Sequence, residues 1–265
     1  MKMIPLGSTD ITLSRMGLGT WAIGGGPAWN GDLELQICID TIIEAHRCGI
    51  NLIDTAPGYN FGNSEVIVGQ ALKQLPRREI VVETKCGIVW ERVGSLFNKV
   101  GDRQLYKNLS PDSIREEVES SLQRLGIDCI DIYMTHWQSV PPFFTPIAET
   151  VAVLNELKAE GKIRSIGAAN VDASHIREYL KHGELDIVQA KYSILDRALE
   201  IELLPLCREH GIVVQVYSPL EQGLLTGTIT RDYIPGGARA NKVWFQRENM
   251  LRVIDMLEQW RPLCD

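Results

Sequence analysis

Residues 51–59 read Asn-Leu-Ile-Asp-Thr-Ala-Pro-Gly-Tyr, and the interpretation of this stretch decides the fold. Leu52 and Ile53 carry a short apolar run that stops at the carboxylate of Asp54, and Pro57-Gly58 then turns the chain to present Tyr59. A strand therefore ends in an acid, with a phenol one tight loop later. On this stretch alone, a turn-capping carboxylate and a rim tyrosine are a sufficient account. The pattern, however, returns along the chain. Residues 80–85, 130–134, 163–168, 187–190 and 212–216 are further short Ile/Val-rich runs, and residues 15–19 read as an earlier core strand. Lys85, His136, Asn170, Gln189 and Tyr217 stand at or near the ends of these runs, as Asp54 does at the end of its own.

The segments between the strands have helical signatures. Leu35, Ile39, Ile42 and Ile43 fall at helical spacing within residues 33–48, which stop at Gly49. Residues 63–75, 147–160, 202–210 and 249–260 read as further helices. Ser110-Pro111 is an N-cap followed by proline at the first helical position, with Ile114, Val118, Leu122 and Leu125 as the buried stripe. Asp172 is a candidate cap for a short helix. Alternating helices and near-continuous apolar strands predict a parallel sheet covered on both faces. An open sheet would spread six polar strand ends along one edge, whereas a closed barrel gathers them at one mouth. The expected fold is α/β, a (β/α)8 TIM barrel forming one domain over residues 1–265. Residues 4–14, with the turn Gly7-Ser8-Thr9-Asp10, supply an N-terminal β-hairpin cap.

Three segments need separate treatment. Gly17-Leu18-Gly19-Thr20-Trp21-Ala22 matches the dinucleotide pattern G-x-G-x-x-A, but Gly24-Gly25-Gly26-Pro27 follows and makes a loop where that site needs a helix. Residues 87–109 lack clear periodicity and exceed the roughly 12–15 residues usual for a structureless loop. A lid or a disordered segment is expected there, with Trp90 and Phe97 as a pocket wall. Seven strands can be counted before the chain stops at Pro262-Leu263-Cys264-Asp265, so the eighth strand and helix are expected to be missing. A gap of that kind exposes two sheet edges.

Composition narrows the function. The net charge is -7 and there is no Lys/Arg run, which argues against nucleic acid or an anionic membrane surface as partner. No stretch of about 18 apolar residues occurs, and residues 1–10 hold no signal-peptide core, so the expected location is cytoplasmic. The six cysteines are scattered without a C-x-x-C pair and read as small core residues, with Cys86 notable for its place beside Lys85. No metal site is expected, since no His-x-His ends the first strand and His136 is the only strand-end histidine.

Taken together, these motifs resemble the aldo-keto reductase family. Residues 49–59 with Gly62, Ser64, Glu65 and Gly69 are similar to one family signature; Leu122, Leu125, Asp131 and His136 are similar to a second. Tyr217-Ser218-Pro219-Leu220 with Gly223-Leu224-Leu225-Thr226-Gly227 is similar to a third. Within the family the resemblance is greatest to the bacterial methylglyoxal and aldehyde reductases. It implies hydride transfer from NADPH or NADH to a small-molecule carbonyl through a catalytic tetrad of Asp54, Tyr59, Lys85 and His136. A free tyrosine, with a pKa of about 10, is a sluggish proton donor near neutrality. Lys85 would lower that pKa, Asp54 would hold Lys85, and His136 would hydrogen-bond the carbonyl oxygen.

For the cofactor, the resemblance implies that Asn170 and Gln189 bond the carboxamide and that Tyr217 stacks on the nicotinamide. The loop containing Ser218, Pro219, Leu220, Gly223 and Leu225 would approach the pyrophosphate. Trp21 joins the cofactor-binding residues and, with Trp90, Trp137, Phe143 and Phe144, could line an apolar mouth. Ala169 stands where the family usually has serine, which removes one potential hydrogen bond. In the family the eighth unit carries contacts to the adenosine end; a truncated polypeptide, a disordered C-terminus or a partner element would each account for its absence, and only if the chain truly ends here is weakened dinucleotide binding expected. The competing reading is a cofactor-sensing regulatory subunit, since potassium-channel β subunits resemble the same barrel. The sequence leaves the oligomeric state and the choice between NADH and NADPH open.

Overall fold

The computed structural model describes residues 1–263. The elements run β1 (Met3–Pro5), β2 (Thr12–Ser14), β3 (Gly17–Gly19), α1 (Leu35–Arg47), β4 (Leu52–Asp54), α2 (Asn63–Leu72), β5 (Val81–Cys86), β6 (Ile88–Val89), β7 (Ser95–Val100), β8 (Arg103–Lys107), α3 (Pro111–Leu125), β9 (Ile130–Thr135), α4 (Ile147–Ala159), β10 (Ile163–Ala169), α5 (Ala173–His182), β11 (Ile187–Lys191), α6 (Leu203–Glu209), β12 (Val213–Tyr217) and α7 (Arg247–Trp260). Seven strands pair in the order β3-β4-β5-β9-β10-β11-β12, all of them parallel. Among the described residues β3 and β12 are the free edges of this sheet, as expected for a barrel with seven of its eight strands.

Helix starts follow local chemistry. The Ser110 hydroxyl accepts from the Ser113 N–H at 3.4 Å and Pro111 fills the first position of α3, which ends at Gly126 with φ 66°. Asp172 and His175 form a reciprocal capping box on α5. Between the helices and the outer face of the sheet lies the main core, built from residues such as Ile42, Val68, Val82, Val118, Leu154 and Val188.

The inner face is layered. β1 and β2 form an antiparallel hairpin that buries Leu6, Ile11 and Leu13 against Leu52, Val81, Ile132 and Ile187, closing the bottom of the sheet with apolar side chains. Two residues further along their strands, Asp54, Glu83, Gln189 and Gln215 form the next inward layer, because side chains alternate across a strand with period two. Lys85 stands above Glu83 on β5.

Two expectations are corrected. Residues 87–109 are neither structureless nor disordered: β6, β8 and β7 form a small antiparallel sheet. The two-residue turn Gly101-Asp102, with Gly101 at φ 60°, closes the β7–β8 hairpin, and a register shift between Leu96 and Asn98 interrupts the alternation that would have revealed it. The cysteines are not uniformly core residues. Cys38, Cys86 and Cys207 are buried, but Cys48 is exposed and Cys129 is half-buried, while Cys264 lies outside the described residues. Among the described residues no helix is long and apolar enough to cross a membrane.

Candidate active site

The site grows out of the polar layer. Lys85 is fully buried, and its ammonium donates to Asp54 Oδ1, to the Thr55 carbonyl at 3.0 Å and to the Tyr59 hydroxyl at 3.3 Å. Three N–H bonds therefore meet three oxygens. The ammonium also lies 5.0 Å from the centre of the Tyr59 ring. Burial alone would pull the lysine's pKa down, but Asp54, Tyr59 and Glu83 more than offset it, and Lys85 titrates above its ordinary range.

Tyr59 reaches this position through a strained loop. Asn60, Phe61 and Gly62 are all left-handed, at φ 52°, 54° and 85°. The side chains of Asn60 and Asn63 both donate to the Gly24 carbonyl, at 2.9 and 3.0 Å, tying this loop to the one carrying Trp21. Ser64 meets the Thr20 and Thr55 hydroxyls at 2.7 and 2.9 Å, and Thr20 donates to the Asp54 carbonyl at 2.9 Å. Burial pushes the phenol of Tyr59 up, Lys85 opposes that, and the net direction is up. Lys85 therefore acts on the phenol in the expected direction, lowering it, while burial is the larger effect.

His136 follows β9, with its ring edge-on to Tyr59 at 5.7 Å. Burial, then the nearby Lys85 charge, hold it well below the ordinary histidine range, so the imidazole is neutral. Its Nδ1 is buried with no hydrogen-bond partner among the described residues. Cys86 faces the opposite side of β5, where burial raises its thiol well above the ordinary range.

The residues expected around the cofactor divide into two groups. Tyr217, Asn170 and His136 are linked: Tyr217 donates to Asn170 Oδ1 at 2.8 Å, and Asn170 Nδ2 donates to the His136 carbonyl at 2.9 Å. Trp21 lies 6.2 Å from Tyr59, at the same mouth. Gln189 is spent inside the sheet, its Nε2 donating to Asp54 Oδ2 at 3.0 Å and Glu83 Oε1 at 2.8 Å.

The loop after β12 curls through left-handed Ser218, Glu221, Gln222 and Gly223, leaving Pro219 and Leu220 exposed and Leu225 half-buried. Arg239 crosses it, donating to the Gln222 carbonyl at 3.0 Å. Gln222 Oε1 is buried and unpaired among the described residues. The Arg239 guanidinium set against this loop, with the orphaned Gln222 Oε1 and His136 Nδ1, suits a ligand that carries phosphates together with hydroxyl or amide donors.

The aromatic mouth is only partly assembled. Phe143 and Phe144 are exposed, Trp137 packs on Phe97, and Trp90 packs on Phe61. Trp90 lines a separate cleft of about 380 Å³ with Pro57, Arg92, Glu117 and Arg124. The sequence reading missed Glu83, Gln215 and Arg239. Glu83 was detectable by spacing, since it lies two residues before Lys85 and so on the same face.

The fold and the site geometry define a carbonyl-reductase type of barrel, and the chain belongs to the aldo/keto reductase family, whose model matches residues 15–262. The chain is 90% identical to the NADH-specific methylglyoxal reductase of Escherichia coli over 264 residues, which is 100% of this chain and 81% of that protein. It is 39% identical to the aldo-keto reductase YhdN of Bacillus subtilis, covering 88% of this chain and 66% of the relative. Among solved structures, the glycerol dehydrogenase AKR11B4 of Gluconobacter oxydans superposes with a TM-score of 0.85 at 35% identity, covering 98% of this chain and 77% of that one.

Proposed function

We propose that this chain reduces methylglyoxal and related small aldehydes with NADH, with Tyr59 as the proton donor. The name of the Escherichia coli relative supports both the substrate and the cofactor. The observation that carries the reading is a single buried ammonium, Lys85, touching both the Asp54 carboxylate and the Tyr59 phenol. Reduced nicotinamide, when bound, supplies the hydride.

The chain's own residues manage the oxygen. Neutral His136 donates a hydrogen bond to the substrate carbonyl and orients it, and Tyr59 gives up its proton as negative charge develops there. Lys85 stabilises the resulting phenolate, and Asp54 keeps Lys85 charged and in place. Tyr217, Asn170, Trp21 and the loop from Ser218 to Leu225 hold the cofactor, with Arg239 behind the loop as its positive charge. Gln189 acts through Asp54, since its amide nitrogen is committed there.

We read residues 1–265 as one catalytic domain working in the cytoplasm, a reducing compartment that suits unpaired cysteines. The test is steady-state oxidation of NADH with methylglyoxal as substrate. Multiple turnovers are expected, and Tyr59→Phe should lower kcat by roughly 10³-fold while NADH still binds. A single slow turnover with tightly held cofactor would instead favour a sensor and sink the reductase reading.

A further inference from the structure

Beneath the tetrad lies a second carboxyl group that the mechanism above does not use. Glu83 is fully buried and lies beside Asp54, its register partner on β4. On its other side its register partner is Ile132 of β9. Gln189, from β11, bridges the two carboxyls with one amide nitrogen. With the Gln215 amide of β12 turned so that its oxygen faces Gln189, its nitrogen donates to Glu83 Oε2 at 2.7 Å and its oxygen accepts from Gln189 at 3.1 Å. The groups facing Glu83 are thus Asp54, Lys85, Tyr59 and two neutral amides.

The cation count is short by one. Lys85 has three N–H bonds, directed at Asp54, Thr55 and Tyr59, and its nitrogen stands 4.0 Å from Glu83. Two carboxylates against one ammonium would leave a net negative charge away from water, which costs far more than keeping one proton. Like charges that share a site divide a proton between them.

Resting on the reductase reading, we propose that Glu83 is a positioning residue that holds the one proton of this carboxyl pair, so that the buried site carries a single carboxylate against Lys85. Burial, then the neighbouring Asp54, push Glu83 well above the ordinary carboxylate range, in keeping with that geometry. The consequence reaches Tyr59. A second negative charge here would raise the phenol further and make it a poorer donor, so the proton on Glu83 keeps the Lys85 field available to it.

Infrared difference spectroscopy of the full chain at neutral pH tests the proton directly. Protonated-carboxyl C=O bands that shift in D₂O are expected in the wild type from Glu83 and from the buried Glu117, and E83Q should remove one of them, which Glu117→Gln leaves in place. In NADH turnover, E83A should lose at least about tenfold in kcat with little change in KM, and E83Q, a neutral mimic of the protonated acid, should recover most of that loss. The proposal is overturned if E83Q leaves the spectrum unchanged, or if E83Q is as slow as E83A. Should E83A fail to fold, the wild-type and E83Q spectra still decide. Absence of wild-type turnover would sink the reductase reading instead, and the bands would still judge the proton on Glu83.

Discussion

The buried acids at the two ends of the sheet show how differently a carboxylate can be held. Asp131, near the start of β9, accepts from Arg77 at 2.7 Å, from Arg164 at 2.5 Å and from the Val82 N–H at 2.9 Å. Arg164 reaches on to Asp10, so at the bottom of the barrel two cations match two acids. At the top, Asp54 and Glu83 share one ammonium, and that ammonium also serves a phenol. The lower acid is fully satisfied and has nothing left to offer a ligand. The upper pair is short of positive charge, and the shortfall lies next to the one hydroxyl positioned to give a proton. Barrel enzymes divide their ends in this way, with stability at the bottom and chemistry at the top.

Lys85→Met should have the largest effect, lowering kcat by about 10³-fold and also costing roughly 3–5 kcal/mol of stability, because it leaves the Asp54 carboxylate buried without its cation. Full kcat in the folded variant would detach the ammonium from the proton path. Asp131→Ala should separate the two effects, costing about 3 kcal/mol of stability, or roughly 6–12 °C in Tm, with kcat per folded molecule retained.

A fourth acid sharpens the contrast. Among the described residues Glu117 on α3 accepts only from the Gly87 N–H and the Ser113 hydroxyl, and burial, opposed by those two bonds, pushes it up to about 8. Its pKa is raised on folding, so between the unfolded value and about 8 the folded state binds the extra proton and stability falls as pH rises. Denaturation at pH 6 and pH 8 should show the wild type losing about 2 kcal/mol more than Glu117→Gln over that interval. Equal losses would show that Glu117 does not titrate there. The smallest effect is expected of Asp54→Asn, which should slow reduction about tenfold by loosening Lys85 while the KM for NADH stays nearly constant. A rise in KM alone would detach Asp54 from the proton path.

Much of this was legible in the sequence because the relevant signals are local. The Ile/Val-rich runs ending in Asp54, Lys85 and His136 could be located, and the polar ends themselves favoured a barrel over an open sheet. The antiparallel β6–β8 sheet was not legible, since a bulge near Phe97 and polar residues such as Asn98 and Lys99 erase the period-two pattern. Glu83 escaped for a different reason. A glutamate inside Ile-Val-Val-Glu-Thr-Lys looks like an interruption of a core strand, and only the neighbouring strands reveal Asp54, Gln189 and Gln215 converging on it. The commitment of Gln189 to the interior was equally hidden, because spacing puts a residue at a strand end but does not say which partner its amide chooses.

The fully engaged ammonium of Lys85 has one more consequence under the proposed function. Ketoaldehydes are electrophiles that condense with free amines and add to thiolates. An amine that keeps all its protons, each pointed at an oxygen, has no lone pair with which to form an imine. The adjacent thiol, Cys86, is buried on the far side of the strand and held in its un-ionised form. At the centre that activates the carbonyl, neither this amine nor the neighbouring thiol is therefore presented to the substrate as a nucleophile.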